Sequence, residues 1–308
     1  PDSLVVEIAS NDGYMLKNFV ERAIPVLGID PAAAPAAAAA KAGVRTLNTF
    51  FGRDLARRLR AEEQPADLII ANNVLAHVAD LNGLVEGIAI LLAPHGRAVL
   101  EMPYVADLIE HGEFDTIYHQ HLCYFSVTAL DRLFRRHGLF LNEVQRLAIH
   151  GGSLRIEVGH LEDVQPAVRD LLAAERAAGL DRPEPYLGFA ARVQGVRAAL
   201  CAMVRRLKAE GARLAAYGAA AKGTTLLSYC GLDRTVIDYV VDRNAFKQGR
   251  YMPGSRLPIL APEKLLEDRP DCTLLLPWNF AEEILAQQAE YRAQGGRFLI
   301  PIPEPRLV

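Results

Sequence analysis

The chain has 308 residues, of which 51% are hydrophobic and 23% charged, and its formal net charge is -3. This length is sufficient for two domains with substantial hydrophobic cores. The sequence has no basic stripe with interleaved aromatic residues, so we do not expect nucleic acid as a partner. The longest apolar run, residues 31–40, is alanine-rich and too short to span a membrane. We expect a cytoplasmic protein that does not bind membranes.

The cysteines give no sign of a structural scaffold. Four are present, and none forms a CxxC pair: Cys123, Cys201, Cys230 and Cys272. Such spacing argues against a disulfide framework and a zinc knuckle, and it suits a reducing compartment. The first residue is Pro, and strand-like residues begin at Leu4. We therefore expect that the sequence starts partway through a longer gene product or follows processing.

Short apolar runs alternate with helical stretches up to Glu101. The runs predict strands at residues 4–9, 25–29, 44–47, 67–71 and 97–101, and a helix is predicted at residues 14–22. Continuous apolar strands that alternate with helices indicate a parallel sheet covered on both faces. Residues 139–147 and 153–158 are expected to form a strand pair that closes this sheet. We predict a Rossmann-like α/β domain over residues 1–160.

The chain changes character after this domain. Residues 161–212 are rich in Ala, Arg, Leu and Glu, and we predict a helical linker whose second amphipathic helix covers about residues 188–210. Strands are then predicted at residues 213–217, 236–241, 272–276 and 297–300. They indicate a second, smaller doubly wound α/β domain over residues 213–308.

The loop after the first strand distinguishes between cofactors. It reads Glu7-Ile-Ala-Ser-Asn-Asp-Gly13, with one glycine and two carboxylates. A dinucleotide site requires G-x-G-x-x-G, because the glycines let the backbone approach a pyrophosphate. S-adenosylmethionine carries an ammonium and a sulfonium and no phosphate, so an acidic loop suits it. The sequence therefore favours S-adenosylmethionine over NAD.

Further cofactor contacts are expected where other strands end, because open parallel sheets bind ligands beyond the carboxyl ends of their strands. Asp30 is placed to accept hydrogen bonds from the ribose hydroxyls, and Phe50 or Phe51 to cover the adenine. Asp30 and Asp12 can instead cap the helices that follow them. The predicted cofactor-binding residues are Glu7, Ser10, Asn11, Gly13, Asp30, Phe50, Asn72 and Asn73.

Histidines and tyrosines cluster after the fifth strand. The segment Tyr118-His119-Gln120-His121 is followed by Tyr124, and His77 follows Asn72 and Asn73. An imidazole titrates near neutral pH and can remove a carbon-bound proton that a ketone has made acidic, so one of these histidines can be a general base. Zinc coordination by His77, His119 and His121 is an alternative, as is a purely structural role. No acidic or cysteine partner lies at a recognised spacing, and we predict no metal.

A turn rich in small residues follows the first strand of the second domain. It reads Gly218-Ala-Ala-Ala-Lys222-Gly-Thr224, and the helix N-terminus with the lysine is expected to bind an anion. An ordinary tight turn is the alternative. The predicted phosphate contacts are Gly218, Lys222, Thr224, Lys247 and Arg250. Trp278 and Asn279 are predicted to stack on a base or line a cleft.

These motifs together resemble the sugar C-3 methyltransferases, which methylate nucleotide-linked 4-keto deoxysugars. The first loop, residues 71–77, residues 118–126 and His150-Gly-Gly-Ser-Leu-Arg155 carry the resemblance. It continues through residues 218–225 and 242–254 and so covers essentially the whole chain. The resemblance implies a class I methyltransferase fold, a nucleotide-linked sugar as substrate, His121 as base and Tyr118 as its supporting tyrosine. Gln120 and His77 complete the predicted catalytic set, and Tyr104, His119 and Tyr124 the predicted substrate contacts.

Two departures from the family pattern bear on function. Members usually begin with a cysteine-rich zinc domain, which is not found among these 308 residues, and Gln120 replaces the glutamate of a Tyr-His-Glu-His motif. The leading prediction is methylation of a carbon next to a ketone, in which His121 forms an enolate that attacks the methyl group. The alternatives are O- or N-methylation of another small molecule in natural-product or cell-surface glycan biosynthesis, a dehydrogenase, and a cofactor-binding module without catalysis. The sequence leaves the oligomeric state open.

Overall fold

The structure, a computed structural model, describes residues 3–308 apart from the side chain of His150. It divides into two compact units. The first contains the chain up to Ala106 together with Gln120–Arg182, and the second contains Asp107–His119 together with Pro183–Val308. The sequence boundaries at residues 160 and 212 differ from this division, because the proposed linker is split at residue 182.

The first unit is built on a seven-stranded sheet in the order β3-β2-β1-β4-β5-β7-β6. Only β7 is antiparallel to its neighbours β5 and β6 within this sheet. The predicted strands are all present, and β6 and β7 close the sheet as expected, so the predicted fold class is confirmed. The strands are β1 (Val5–Ile8), β2 (Val26–Ile29), β3 (Thr46–Leu47), β4 (Ala66–Asn72), β5 (Leu92–Pro103), β6 (Phe140–Leu147) and β7 (Ser153–Gly159).

Helices cover both faces of this sheet. All four residues of β1 are buried, as a strand between two helical layers requires. The first helix is much shorter than the predicted 14–22, and the Asn18 amide donates to the carbonyl oxygens of Tyr14 and Met15. Such bonds compete with regular helix formation. The helices up to residue 177 are α1 (Lys17–Val20), α2 (Ala33–Lys41), α3 (Arg53–Glu62), α4 (Leu81–Leu91), α5 (Val105–His111), α6 (Val127–Arg136) and α7 (Pro166–Ala177).

The second unit repeats the same central strand order in a smaller sheet. Its six strands follow the order β10-β9-β8-β11-β12-β13, and β13 is antiparallel to β12. The strands are β8 (Leu214–Tyr217), β9 (Val240–Val241), β10 (Ile259–Leu260), β11 (Cys272–Leu275), β12 (Arg297–Ile300) and β13 (Arg306–Leu307). The helices are α8 (Glu184–Ala209), α9 (Ala221–Cys230), α10 (Lys264–Asp268), α11 (Ala281–Gln287) and α12 (Ala289–Ala293).

The long helix α8 belongs to the core of the second unit. By length and composition alone it could cross a membrane. However, Leu200, Val204 and Leu207 are buried among the residues of the second hydrophobic core. This packing accounts for the apolar residues on that face of the helix.

Candidate active site

A cavity of about 560 Å³ opens in the first unit beyond the carboxyl ends of β1, β2 and β4. This is the point where the strand order reverses, which is where open α/β sheets bind ligands. Its walls are largely apolar, as an adenine-binding cavity requires. The lining residues are Ile8, Ala9, Ile29, Pro31, Phe50, Phe51, Gly52, Asn73, Val74, His77, Val78, Ala79, Asp80, Gly83 and Leu84.

The loop after β1 is held in an unusual conformation beside this cavity. Ala9, Asn11 and Gly13 all have positive φ, at 58°, 54° and 78°. A Cβ on Gly13 would lie 2.9 Å from Cγ2 of Val44, so both conformation and space require glycine there. The loop therefore presents its acidic residues from a fixed backbone.

Asp30 joins this loop to the end of β2. Its carboxylate accepts hydrogen bonds from the backbone N–H groups of Asn11 at 2.9 Å and Ala32 at 2.8 Å. The bond from Ala32 stabilises the turn before α2; Asp30 does not cap the helix, because the N-cap residue is Ala32, which forms no side-chain capping hydrogen bond. Each carboxylate oxygen can accept a further hydrogen bond. These contacts therefore orient Asp30 while leaving capacity for ribose hydroxyls.

Two buried polar groups, one in β1 and one in the loop after it, suit a cationic ligand. Glu7 is 2% exposed, and its Oε2 has no hydrogen-bond partner among the described residues. The buried hydroxyl of Ser10 is likewise without such a partner in residues 3–308. Burial, reinforced by the charge of Asp30, raises the pKa of Glu7 to about 7. An ammonium or sulfonium would stabilise the ionised carboxylate, whereas a pyrophosphate would be repelled.

The other predicted cofactor residues lie nearby. Phe50 and Asn73 line the cavity, and Asn72 precedes Asn73 at the end of β4. Asn73 adopts φ 55°, a conformation that asparagine tolerates better than most residues. Sequence reasoning did not identify the cavity residues Asp80 and Gly83. Asp80 caps α4 by accepting a hydrogen bond from Gly83 N. An aspartate directly before an apolar helix is a capping pattern in the sequence, and it could have identified this wall of the cavity.

Two predicted catalytic residues, His77 and His121, come together in the first unit with the predicted substrate contact Tyr124. His77 and His121 pack edge to face with ring centroids 4.9 Å apart, and Tyr124 lies 6.3 Å from His121. His77 Nδ1 lies 2.9 Å from the carbonyl oxygen of Gln120. Because a carbonyl only accepts, Nδ1 carries the proton, which fixes the tautomer of neutral His77. Since His77 also lines the cavity, the histidine pair stands at its edge.

The backbone holds His121 in this position. Leu122 N donates to Ala76 O at 2.7 Å, and the Tyr124 hydroxyl donates to His121 O at 3.3 Å. Within residues 3–308, the cluster with metal-ligand spacing is Asp107, Glu110 and His111, and the three histidines of the zinc alternative do not form one.

Tyr118 and His119 belong to the second unit. Tyr118 is half-buried, and burial followed by the charge of Asp115 raises its pKa. His119 is exposed.

The structure places Tyr104 in the interior rather than at a ligand-binding surface. The side chain is 3% exposed, and its hydroxyl donates to Glu175 Oε1 at 2.9 Å. Glu175 also accepts from the backbone N–H groups of Val127 and Thr128 at the start of α6. Tyr104 is therefore buried against α6 and α7. This position differs from the substrate contact that the sequence predicts.

The turn after β8 lies beside a second cavity of about 300 Å³, which Gly218, Asp242 and Arg243 help to line. Gly218 has φ 90°, and a Cβ there would lie 2.4 Å from Cδ of Pro277. Ala219 N donates to Asp242 Oδ2 at 2.7 Å, and Lys247 donates to Ala219 O at 2.9 Å. Asp242, directly after β9, therefore accepts a hydrogen bond from the turn after β8. Asp30, directly after β2, makes the corresponding contact with the loop after β1.

Lys222, Trp278 and Asn279 form a partly buried group instead of lining that cavity. Lys222 Nζ donates to Asn279 Oδ1 at 2.8 Å and lies 4.1 Å from the centroid of the Trp278 ring. Trp278 is 8% exposed, and its Nε1 donates to Asp115. The Trp278 side chain is therefore in contact with Lys222 and Asp115. This position differs from the base stacking that the sequence predicts. Thr224 is half-buried and Arg250 exposed.

Comparisons with known proteins agree with this architecture. A methyltransferase domain model matches residues 1–144, and a model described as C-methyltransferase C-terminal domain matches residues 148–303. The C-methyltransferase NovU of Streptomyces niveus is 39% identical over 308 residues, which are 99% of this chain and 73% of NovU.

Two solved structures are similar to about half of the chain at low identity. The PH0226 protein of Pyrococcus horikoshii OT3 is 14% identical with a TM-score of 0.42, over 52% of this chain and 82% of that chain. Magnesium protoporphyrin IX methyltransferase of Synechocystis PCC 6803, solved with bound S-adenosylmethionine, is 13% identical with a TM-score of 0.39, over 51% and 70% of the two chains.

The sheet order and the match over residues 1–144 define the first unit as a class I methyltransferase domain, whose cofactor is S-adenosylmethionine. The identity with NovU and the match over residues 148–303 are more specific, and the chain belongs to the C-methyltransferase family. It is an enzyme that transfers a methyl group to a small-molecule substrate.

We expect S-adenosylmethionine to bind more tightly as pH rises toward 7. The cationic cofactor favours ionised Glu7, which is protonated in the free protein below its pKa of about 7. Binding below that pH must release a proton, so the dissociation constant should rise by up to about tenfold per pH unit of acidification. Calorimetry in buffers of different ionisation enthalpy measures this release.

The matched variants are Glu7→Gln and Asp12→Asn. Glu7→Gln should abolish both the proton release and the pH dependence, whereas Asp12→Asn, which changes an exposed carboxylate of the same loop, should retain them. An unchanged pH dependence in Glu7→Gln would assign the effect to another group.

Proposed function

We propose that this enzyme methylates a carbon next to the ketone of a nucleotide-linked sugar, with His121 as general base. The observation that carries the proposal is the contact between His121 and His77 at the edge of the cofactor cavity. Two imidazoles there provide neutral bases close to the place where the methyl group is delivered. An O- or N-methyltransferase needs only mild deprotonation of its acceptor and has less need of such a pair.

His121, His77 and Tyr118 have different roles in carbon methylation. His121 takes the proton from the carbon next to the carbonyl group, and the resulting enolate carbon forms the new bond to the methyl group. His77, fixed as the Nδ1-protonated tautomer by Gln120 O, packs against the ring of His121 and limits its orientation. Tyr118 supports the base. S-adenosylmethionine, when bound in the cavity, would supply the electrophilic methyl group for this bond.

The second unit supports the assignment of the acceptor. Its doubly wound sheet repeats the central order of the cofactor domain, and Asp242 braces the Gly218 turn as Asp30 braces the first loop. Lys222 stands in the first turn of α9, directly after this turn. These features suit the ribose and phosphates of a nucleotide. The direct experiment supplies a nucleotide-linked 4-keto deoxysugar and the same sugar without its nucleotide, and locates the new methyl group by NMR.

Lys222→Met should raise the KM for the nucleotide-linked acceptor by about tenfold, the effect of losing one charge-assisted hydrogen bond, without changing S-adenosylmethionine binding. Methionine keeps an unbranched side chain, one atom shorter and uncharged, over Trp278. Steady-state kinetics of both acceptors checks the expectation. The KM for the free sugar should be the same in the two proteins. A change in kcat common to both acceptors would instead report on the contact between Lys222 and Trp278. If the KM for the nucleotide-linked acceptor is unchanged, Lys222 does not bind its phosphates.

A further inference from the structure

The segment Asp107–His119 belongs to the second unit, although the chain on both sides of it belongs to the first. Two contacts hold it to helices of the second unit. The Arg192 guanidinium of α8 donates to Ile109 O. Phe114 packs against Tyr229 of α9 with ring centroids 5.1 Å apart. A third contact, made by Asp115, is the most deeply buried.

Asp115 is completely buried and connects the segment to Trp278. Its Oδ2 accepts a hydrogen bond from Trp278 Nε1 at 2.8 Å, while its Oδ1 is buried without a hydrogen-bond partner in the described part of the chain. The other side of this contact is the Lys222 ammonium, 4.1 Å from the centroid of the Trp278 ring. Trp278 is thus bound through its N–H group by a carboxylate and over its ring by a cation.

The charges in this group are interdependent. Burial raises the pKa of Asp115, and the charge of Lys222 opposes that rise. Burial lowers the pKa of Lys222, which Asp115 and Glu113 oppose. Burying a carboxylate costs free energy unless it is hydrogen-bonded. The Asp115 carboxylate accepts its hydrogen bond from Trp278, 163 residues away, so its role is better explained by the contact that it makes between the segment and Trp278 than by stability that it adds.

Asp115 lies three residues before Tyr118 in the same segment, and its charge contributes to the raised pKa of that tyrosine. We propose that Asp115 is a positioning residue that, through Trp278 and Lys222, fixes the segment 107–119 to the second unit and so determines where Tyr118 stands. The inference rests on the proposed function in one respect, the support that Tyr118 gives to the base. Asp115 itself does not take part in the chemistry. Tyr118 and the Gly218 turn consequently belong to one structural unit.

Asp115→Asn tests the electrostatic part of this arrangement. Asparagine is isosteric and still offers an oxygen to the indole N–H, so the fold is retained while the negative charge is lost. Tyr118 should then ionise at lower pH than in the native protein, because a nearby negative charge disfavours tyrosinate, while the larger effect of burial on its pKa remains. The ionisation of Tyr118 is measured as the difference in tyrosinate absorbance between each protein and its Tyr118→Phe derivative.

Glu113→Gln is the matched control, because this neighbouring buried carboxylate does not contribute to the pKa of Tyr118. It should leave the tyrosinate titration unchanged. Trp278 is the single tryptophan of the sequence, so its emission reports directly on the packing of this group in every variant. An emission maximum typical of a buried indole in both variants establishes that the group is intact.

Asp115→Leu tests the positioning part. Loss of the hydrogen bond to Trp278 should lower kcat by more than about tenfold while S-adenosylmethionine binding, measured by calorimetry, stays unchanged. An unmoved Tyr118 titration in Asp115→Asn, or an unchanged kcat in Asp115→Leu, overturns the inference. The titration requires neither donor nor acceptor, so its failure contradicts the role of Asp115 alone. Failure of the proposed function appears separately, as an absence of methylated nucleotide-linked sugar with the native chain.

Discussion

Replacement of His121 by alanine should lower turnover by about 10²–10⁴ and leave S-adenosylmethionine binding intact, since a positioned base contributes this much to a proton transfer. His121 contacts His77 at the edge of the cavity but does not line the cavity itself. Its loss should therefore affect the acceptor proton and not the cofactor. Single-turnover kinetics with saturating donor, together with calorimetry of donor binding, separates the two effects.

Gln120→Glu provides a second measure of the same base. An adjacent carboxylate favours the imidazolium form and raises the pKa of His121. Because the base acts in its neutral form, the acidic limb of the pH–rate profile should move to higher pH when the chemical step is rate-limiting. An unmoved limb together with an active His121→Ala variant would assign the base to another residue, with Tyr118 and His77 the next candidates.

Replacement of Asp30 by alanine should weaken S-adenosylmethionine binding by about 1.5–3 kcal/mol, or roughly 10–150-fold, the loss expected for hydrogen bonds to a charged group. Part of this loss is indirect, because Asp30 also accepts from the backbone N–H groups of Asn11 and Ala32 and so shapes the loop. Calorimetric titration of the purified protein measures the change.

Asp12→Ala is the appropriate control for this loop. Asp12 is exposed and accepts a longer hydrogen bond, 3.3 Å, from Tyr14 N. Its removal should change cofactor affinity far less than the removal of Asp30. Equal affinities of the native protein and Asp30→Ala, or tighter binding of NAD than of S-adenosylmethionine, would contradict the assigned cofactor site.

The sheet of the first unit and the presence of a cavity beyond its strand ends could be predicted because both follow from local patterns. Strands buried on both faces are continuous apolar runs, and parallel strands end at a common edge. Phe50 and Asn73 are distant in sequence, yet both line the cavity at this edge, as the rule predicts. The role of the acidic first loop remains a prediction from its charge.

Contacts over long sequence distances could not be predicted in this way. The hydroxyl of Tyr104 is bound by Glu175, which lies 71 residues away, and nothing near Tyr104 indicates this partner. Trp278 lies 163 residues from Asp115, so an aromatic residue after a strand was interpreted as a ligand contact. The division of the chain at residue 182 likewise depends on which core each long helix packs against.

The most direct test of the account is NMR of the acceptor after incubation in D₂O with the native chain and S-adenosylhomocysteine. We predict deuterium at the carbon next to the carbonyl, no enzyme-dependent exchange with His121→Ala, and, when a donor with a ¹³C-labelled methyl group is supplied, a new carbon–carbon bond at that same atom. Incubations without protein correct for spontaneous exchange. A methyl group on oxygen or nitrogen, formed without any exchange at carbon, would contradict the proposed carbon methylation.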